Sequence, residues 1–126
     1  MINFDNFVPD GNIPIYLQLP AFIKKGIIAG EITDGDELPS RRVLSATLGI
    51  NPNTVQKAFK QLEDEGLIES RLGAKSCITV NAGIIRQIKD GMISEEIKTV
   101  IASLKQMAVS KSEALELIER NWDDEK

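Results

Sequence analysis

The feature that most constrains this chain lies between Leu38 and Gly66. There Leu38-Pro39-Ser40-Arg41-Arg42, then Gly49-Ile50-Asn51-Pro52-Asn53-Thr54-Val55, then Glu65-Gly66 read as helix, tight turn, helix. Ser40 follows a proline and precedes Arg41-Arg42-Val43-Leu44, so its hydroxyl can accept a bond from an otherwise unpaired amide of the first helical turn. Leu44 and Leu48 then share a face, and Gly49 ends the helix because glycine enters the left-handed region at little cost. Asn51 is a favoured N-cap, and Pro52 supplies a pre-set φ at the first helical position without leaving an amide unpaired. Val55, Ala58, Phe59 and Leu62 form the apolar stripe of the second helix, with Gly66 as its stop. Two short helices joined by so tight a turn have the geometry that sets the second in a major groove.

Local charge agrees with this better than total charge does. The chain carries 15 Lys and Arg against 19 Asp and Glu, an acidic balance that on its own argues against a nucleic-acid partner. From Leu38 to Leu62, however, Arg41, Arg42, Lys57 and Lys60 occur with no acid among them. Arg71, Lys75, Arg86 and Lys89 repeat this between Ser70 and Lys89. The acids cluster at Glu31 to Glu37, Glu63 to Glu69 and Asp123 to Glu125. A basic face on an acidic body suits DNA binding and discourages non-specific contacts by the remaining surface.

Other function classes recede on composition. With no histidine and one cysteine, an internal disulfide, the usual zinc sites and histidine-dependent catalysis are excluded. Asp34/Asp36 and Glu63/Glu65 sit in polar segments and read as solvated surface, and no glycine-rich loop is set to cradle a phosphate. The chain therefore reads as a non-enzyme without metal or cofactor. No apolar run reaches the length of a membrane span and no leader opens the sequence, so a cytoplasmic protein with no membrane partner is expected.

The expected fold is mainly α with a small β-hairpin. Residues 1–12 mix Phe4, Phe7 and Val8 with turn formers and read as an arm without regular structure, its phenylalanines free to dock on a neighbour. Residues 13–80 form a winged helix-turn-helix domain. In it, Tyr16, Leu19, Ile23 and Ile27 predict a first helix from Ile15 to about Ala29, either kinked at Pro20 or starting close to it. Asp34 to Glu37 is a turn, and 67–71 and 76–80 are the strands of a hairpin around 72–75. Residues 81–126 form a helical tail in which Ile88, Met92, Ile97, Val100, Ile101 and Leu104 keep a helical period, with Gly91 and Ser94 marking an irregularity. Ser110 and Glu113 match a capping box for a last helix, whose Leu115, Ile118 and Trp122 lie on one side. These nine tail residues are assigned to dimerisation, since one or two amphipathic helices cannot bury their apolar faces alone.

The order of these motifs resembles the GntR family of bacterial transcription regulators over about Ile13 to Val80, and the short tail resembles the YtrA subfamily. The resemblance implies a DNA-binding regulator whose C-terminal part dimerises it and is too small for the effector domain of larger relatives. It implies that Ser40 and Arg42 touch DNA, that Asn51, Asn53, Thr54, Gln56 and Lys57 occupy the exposed start of the recognition helix, and that Gly73 is the wing-tip glycine. Asn and Gln can pair bidentately with adenine and Arg with guanine, while Ser, Thr and Lys serve phosphates. Three positions depart from the family pattern: Arg41 where Glu is frequent, Lys75 where the wing has a second glycine, and Cys77 where an aromatic is common. The first adds a cation to the DNA face, Lys75 joins the wing contacts, and Cys77 implies a smaller wing core.

Bland readings stand beside these. Asn51 can be an N-cap alone, and Arg41 with Arg42 can be a solvated face. The expectation is a dimeric repressor that blocks polymerase at an inverted-repeat operator on double-stranded DNA. The rivals are a winged-helix adaptor that binds another protein and has no operator, and a regulator gated by a small molecule at the dimer seam.

Overall fold

A computed structural model of the chain describes residues 1–71 and 75–124. Its elements in order are α1 (Ile15–Ile28), β1 (Glu37–Leu38), α2 (Arg41–Leu48), α3 (Pro52–Asp64), β2 (Ile68–Arg71), β3 (Lys75–Ile78), α4 (Ala82–Gln106) and α5 (Lys111–Asn121). The chain divides into two compact units, Met1–Ile88 and Lys89–Lys126. Among the described residues no helix is long and apolar enough to cross a membrane, and no acid or cysteine cluster could hold a metal ion.

In the first unit, α1, α2 and α3 pack around Leu19, Ile23, Ile27, Leu44, Val55, Phe59 and Leu62, all buried. The apolar stripes foreseen from the helical period are the faces that meet. α1 begins at Ile15 and continues through Pro20, whose ring is buried in the same core. Burial of the ring offsets part of the lost bond to the Tyr16 carbonyl.

The sheet has three strands, not the two of a simple hairpin. Its order is β1-β3-β2, antiparallel throughout, with Glu37 opposite Cys77 and Ile68 opposite Ile78. β1 takes in Glu37, the last residue of the segment expected to be a turn. Two residues are too short for a period of two to show, and only pairing with distant β3 reveals them as a strand. Lys75 likewise opens β3, where a loop residue was expected. Gly73 lies outside the described residues.

The arm has no helix or strand, but it is part of this unit. Ile2 donates its amide to the Glu37 carbonyl at 2.8 Å, and Ile2, Phe4 and Phe7 are buried. Phe4 stacks on Phe22 of α1 with ring centroids 5.4 Å apart, and Phe7 meets the same ring edge-on at 5.5 Å. The phenylalanines thus dock on their own α1. The Gln18 side chain holds the base of the arm, accepting from the Asp10 amide and donating to the Asp10 and Ile13 carbonyls. Ile84, Ile85 and Ile88 of α4 also pack on this core, so the unit extends past Val80 to Ile88.

The second unit holds the rest of α4 and α5. α4 runs without a break from Ala82 to Gln106, so neither Gly91 nor Ser94 interrupts it. One glycine inside a long helix lowers its stability by only about 1 kcal/mol, too little to end it. Ser110 caps α5, accepting from the Glu113 amide at 3.2 Å as the capping-box spacing predicts. No residue of α4 or α5 is buried. Ile97, Val100, Ile101, Leu104, Leu115, Ile118 and Trp122 line one apolar groove of about 660 Å³.

Candidate nucleic-acid interface

The candidate interface is built by two capped helices and the turn between them. Ser40 Oγ accepts from the Val43 amide at 3.1 Å, and Asn51 Oδ1 accepts from the Asn53 amide at 2.8 Å. Gly49 takes a φ of 66° between the helices, the left-handed conformation foreseen for it. Ser45 locks the turn, its buried hydroxyl donating to the Ile50 carbonyl while its own carbonyl accepts from the Ile50 amide. Sequence reasoning did not single out Ser45; a small hydroxyl residue on the inner face beside Leu44 is the signal that was available. Removing a cap leaves helix amides unpaired, so Ser40→Ala and Asn51→Ala are each expected to lower stability by about 0.5–2 kcal/mol in urea titrations.

Packing of Val55, Ala58, Phe59 and Leu62 inward turns the other face of α3 to solvent. Asn53, Gln56 and Lys57 are exposed there, Thr54 is half-buried, and the Asn53 and Gln56 side chains make no hydrogen bond within the described residues. Of the readings left open for Asn51, the N-cap is the one the structure contains. Its Oδ1 is occupied by the cap, while its side chain is exposed and its amide nitrogen remains free to donate.

The four cations are placed differently. Arg42 is exposed and makes no ion pair among the described residues. Lys57 Nζ lies 5.2 Å from the centroid of the Tyr16 ring, a cation–π contact that steadies the ammonium. Lys75 pairs with Glu37 at 3.3 Å, an exposed contact that a phosphate can replace. Arg41 is half-buried, with Nη2 3.0 Å from Glu63 Oε1 and its guanidinium carbon 5.1 Å from the Phe59 ring centroid. Glu63 is the acid that ends the acid-free stretch, and the fold brings it back onto the stretch's first cation. Of the residues assigned to dimerisation, Ile88 is half-buried on the core of the first unit and Met92 is half-buried on α4, while the other seven line the groove of the second.

The model of the bacterial regulatory proteins of the gntR family matches residues 15–76, from the start of α1 into β3. The HTH-type transcriptional repressor YtrA of Bacillus subtilis is 40% identical over 102 residues, 80% of this chain and 76% of that protein. The chain belongs to the GntR family. A second relative, the HTH-type transcriptional regulator YhcF of the same bacterium, is 33% identical over 103 residues, 82% of this chain and 85% of its own length. Among solved structures, a GntR family transcriptional regulator from Listeria monocytogenes superposes with a TM-score of 0.77 at 26% identity, covering 89% of this chain and 98% of its own. As a GntR member the chain is a DNA-binding transcription regulator and not an enzyme. The adaptor reading therefore falls away. The GntR match covers the capped helix pair, and the likeness to YtrA and YhcF runs on into the tail.

Proposed function

We propose that this GntR regulator represses transcription as a homodimer bound to an inverted-repeat operator. The observation that carries the proposal is the solvent-facing start of α3, where the side chains of Asn53 and Gln56 make no hydrogen bond among the described residues. These two read base edges, adenine being the natural partner of both, while Asn51, Thr54 and Lys57 flank them. Ser40 and Arg42, at the start of α2, hold the phosphate backbone, and the wing with Gly73 and Lys75 lies along it. The apolar groove of the second unit is the dimer seam, a second copy covering what one chain leaves open. Two recognition helices then enter successive major grooves, with half-site centres about 10 bp or a multiple of it apart. The repressor named among the relatives supports repression as the outcome.

Two substitutions separate the roles. Arg42→Ala is expected to weaken binding to every sequence and to lower the slope of log affinity against log salt by about one for each phosphate no longer held. Asn53→Ala is expected to lose roughly 1–3 kcal/mol on the operator and little on random DNA. Fluorescence anisotropy on both duplexes at two salt concentrations reads these effects. Equal losses for the two variants on the two duplexes would remove the division between base reading and phosphate holding.

A further inference from the structure

Of the cations assigned to the DNA face, Arg41 is the one most fully engaged within its own chain. Its Nη2 donates to Glu63, its guanidinium lies over the Phe59 ring, and its Nε is enclosed without an acceptor among the described residues. Turning this group out to a phosphate breaks an ion pair and gives up its place on the aromatic ring at once. The same Glu63 oxygen accepts from Ser70 Oγ on β2 at 3.2 Å. One carboxylate in the last turn of α3 therefore ties both the first turn of α2 and a wing strand to the recognition helix. Helix polarity adds a reason for the pair. The first turn of α2 holds no acid, and a cation beside the exposed amides of a helix N-terminus is unfavourable unless an acid from elsewhere faces it. Glu63 supplies that acid.

We infer that Glu63 and Arg41 form a brace that sets the recognition helix against α2 and the wing. Arg41 is then a positioning residue, and Arg42 is the phosphate contact of the pair. This rests on the DNA-reading role proposed above, and it changes what the second arginine of Arg41-Arg42 does relative to the first.

The sign of one effect decides the matter. With a brace, Glu63→Gln loosens both ties and weakens operator binding about three- to tenfold, leaving the salt slope unchanged. With a direct phosphate contact at Arg41, the same substitution frees the cation, removes a nearby acid and strengthens binding. Arg41→Gln is the companion: the brace predicts weaker binding at an unchanged slope, whereas a phosphate contact predicts a slope smaller by about one. Circular dichroism confirms that each variant is folded before binding is read. Thermal melting of the two single variants and the double variant supplies a readout without DNA, and the brace predicts that the double loses less than the sum of the singles. Additive losses in melting, or tighter binding by Glu63→Gln, would overturn the brace. A wild-type protein with no operator preference would instead overturn the DNA-reading role, and the melting cycle would still decide the brace.

Discussion

Replacing Ile97 and Ile101 together by aspartate is expected to convert the protein to a monomer and to weaken operator binding by about a hundredfold or more. Both residues line the groove of the second unit, and in the single chain they are 51% and 44% exposed. A unit as short as Lys89–Lys126, with no buried residue on either helix, lacks the core that would hold it by itself. In the proposed dimer a second copy laid against the groove would supply that core, and two carboxylates placed in the seam would each have to be desolvated without a partner. The loss in DNA affinity follows from linkage. Once the first half-site is engaged, the second is bound at the effective concentration set by the dimer, a gain of about 10²–10⁴ that a monomer forfeits. Sedimentation analysis beside anisotropy on one operator duplex reads both effects. Because the two side chains are already solvent-exposed in the single chain, α4 itself should persist, which far-ultraviolet circular dichroism can verify. A variant that stays dimeric, or a monomer that binds as tightly as the wild type, would exclude the groove as the seam.

The largest stability effect is expected at Phe59, where alanine should lower unfolding free energy by about 3–5 kcal/mol. Phe59 is 2% exposed in the core formed by α1, α2 and α3, and its ring also carries the Arg41 guanidinium. Truncation leaves a cavity beneath the recognition helix and removes the surface on which the brace rests. Domains of this size are stabilised by only about 5–15 kcal/mol, so the first unit should melt roughly 15 °C lower or more. Leucine at the same position keeps much of the buried area and should recover a large part of the loss. A loss under about 1 kcal/mol for Phe59→Ala would show that the packing around α3 is not what holds the unit together.

How far these features could be read in advance depended on their range along the chain. The two caps, the left-handed Gly49 and the stripe of α3 were legible because each is settled by residues within one or two turns. β1 and the docking of the arm were not. A two-residue strand acquires its identity only from β3, far along the chain, and Phe4 and Phe7 could not announce that Phe22 was their partner. Arg41 shows the same limit at the candidate site. A window closed at Leu62 contained only cations, and the acid one position later is the one the fold returns to Arg41. Charge clustering thus gathered the cations into one stretch, while the pairing of Arg41 depended on the packing of α2 against α3. The period of α4 marked an apolar face correctly, but it could not separate Ile88, which packs on the first unit, from Ile97, Val100 and Ile101 in the groove.

The most direct test of the central claim is selection of duplexes from a random pool by the purified protein, followed by anisotropy on the enriched sequence and on a length-matched random duplex at physiological salt. The account predicts an inverted repeat with half-site centres about 10 bp or a multiple of it apart, bound by two chains and preferred by about a thousandfold or more. A pool that converges on no sequence, or equal affinity for the enriched and random duplexes, would contradict it.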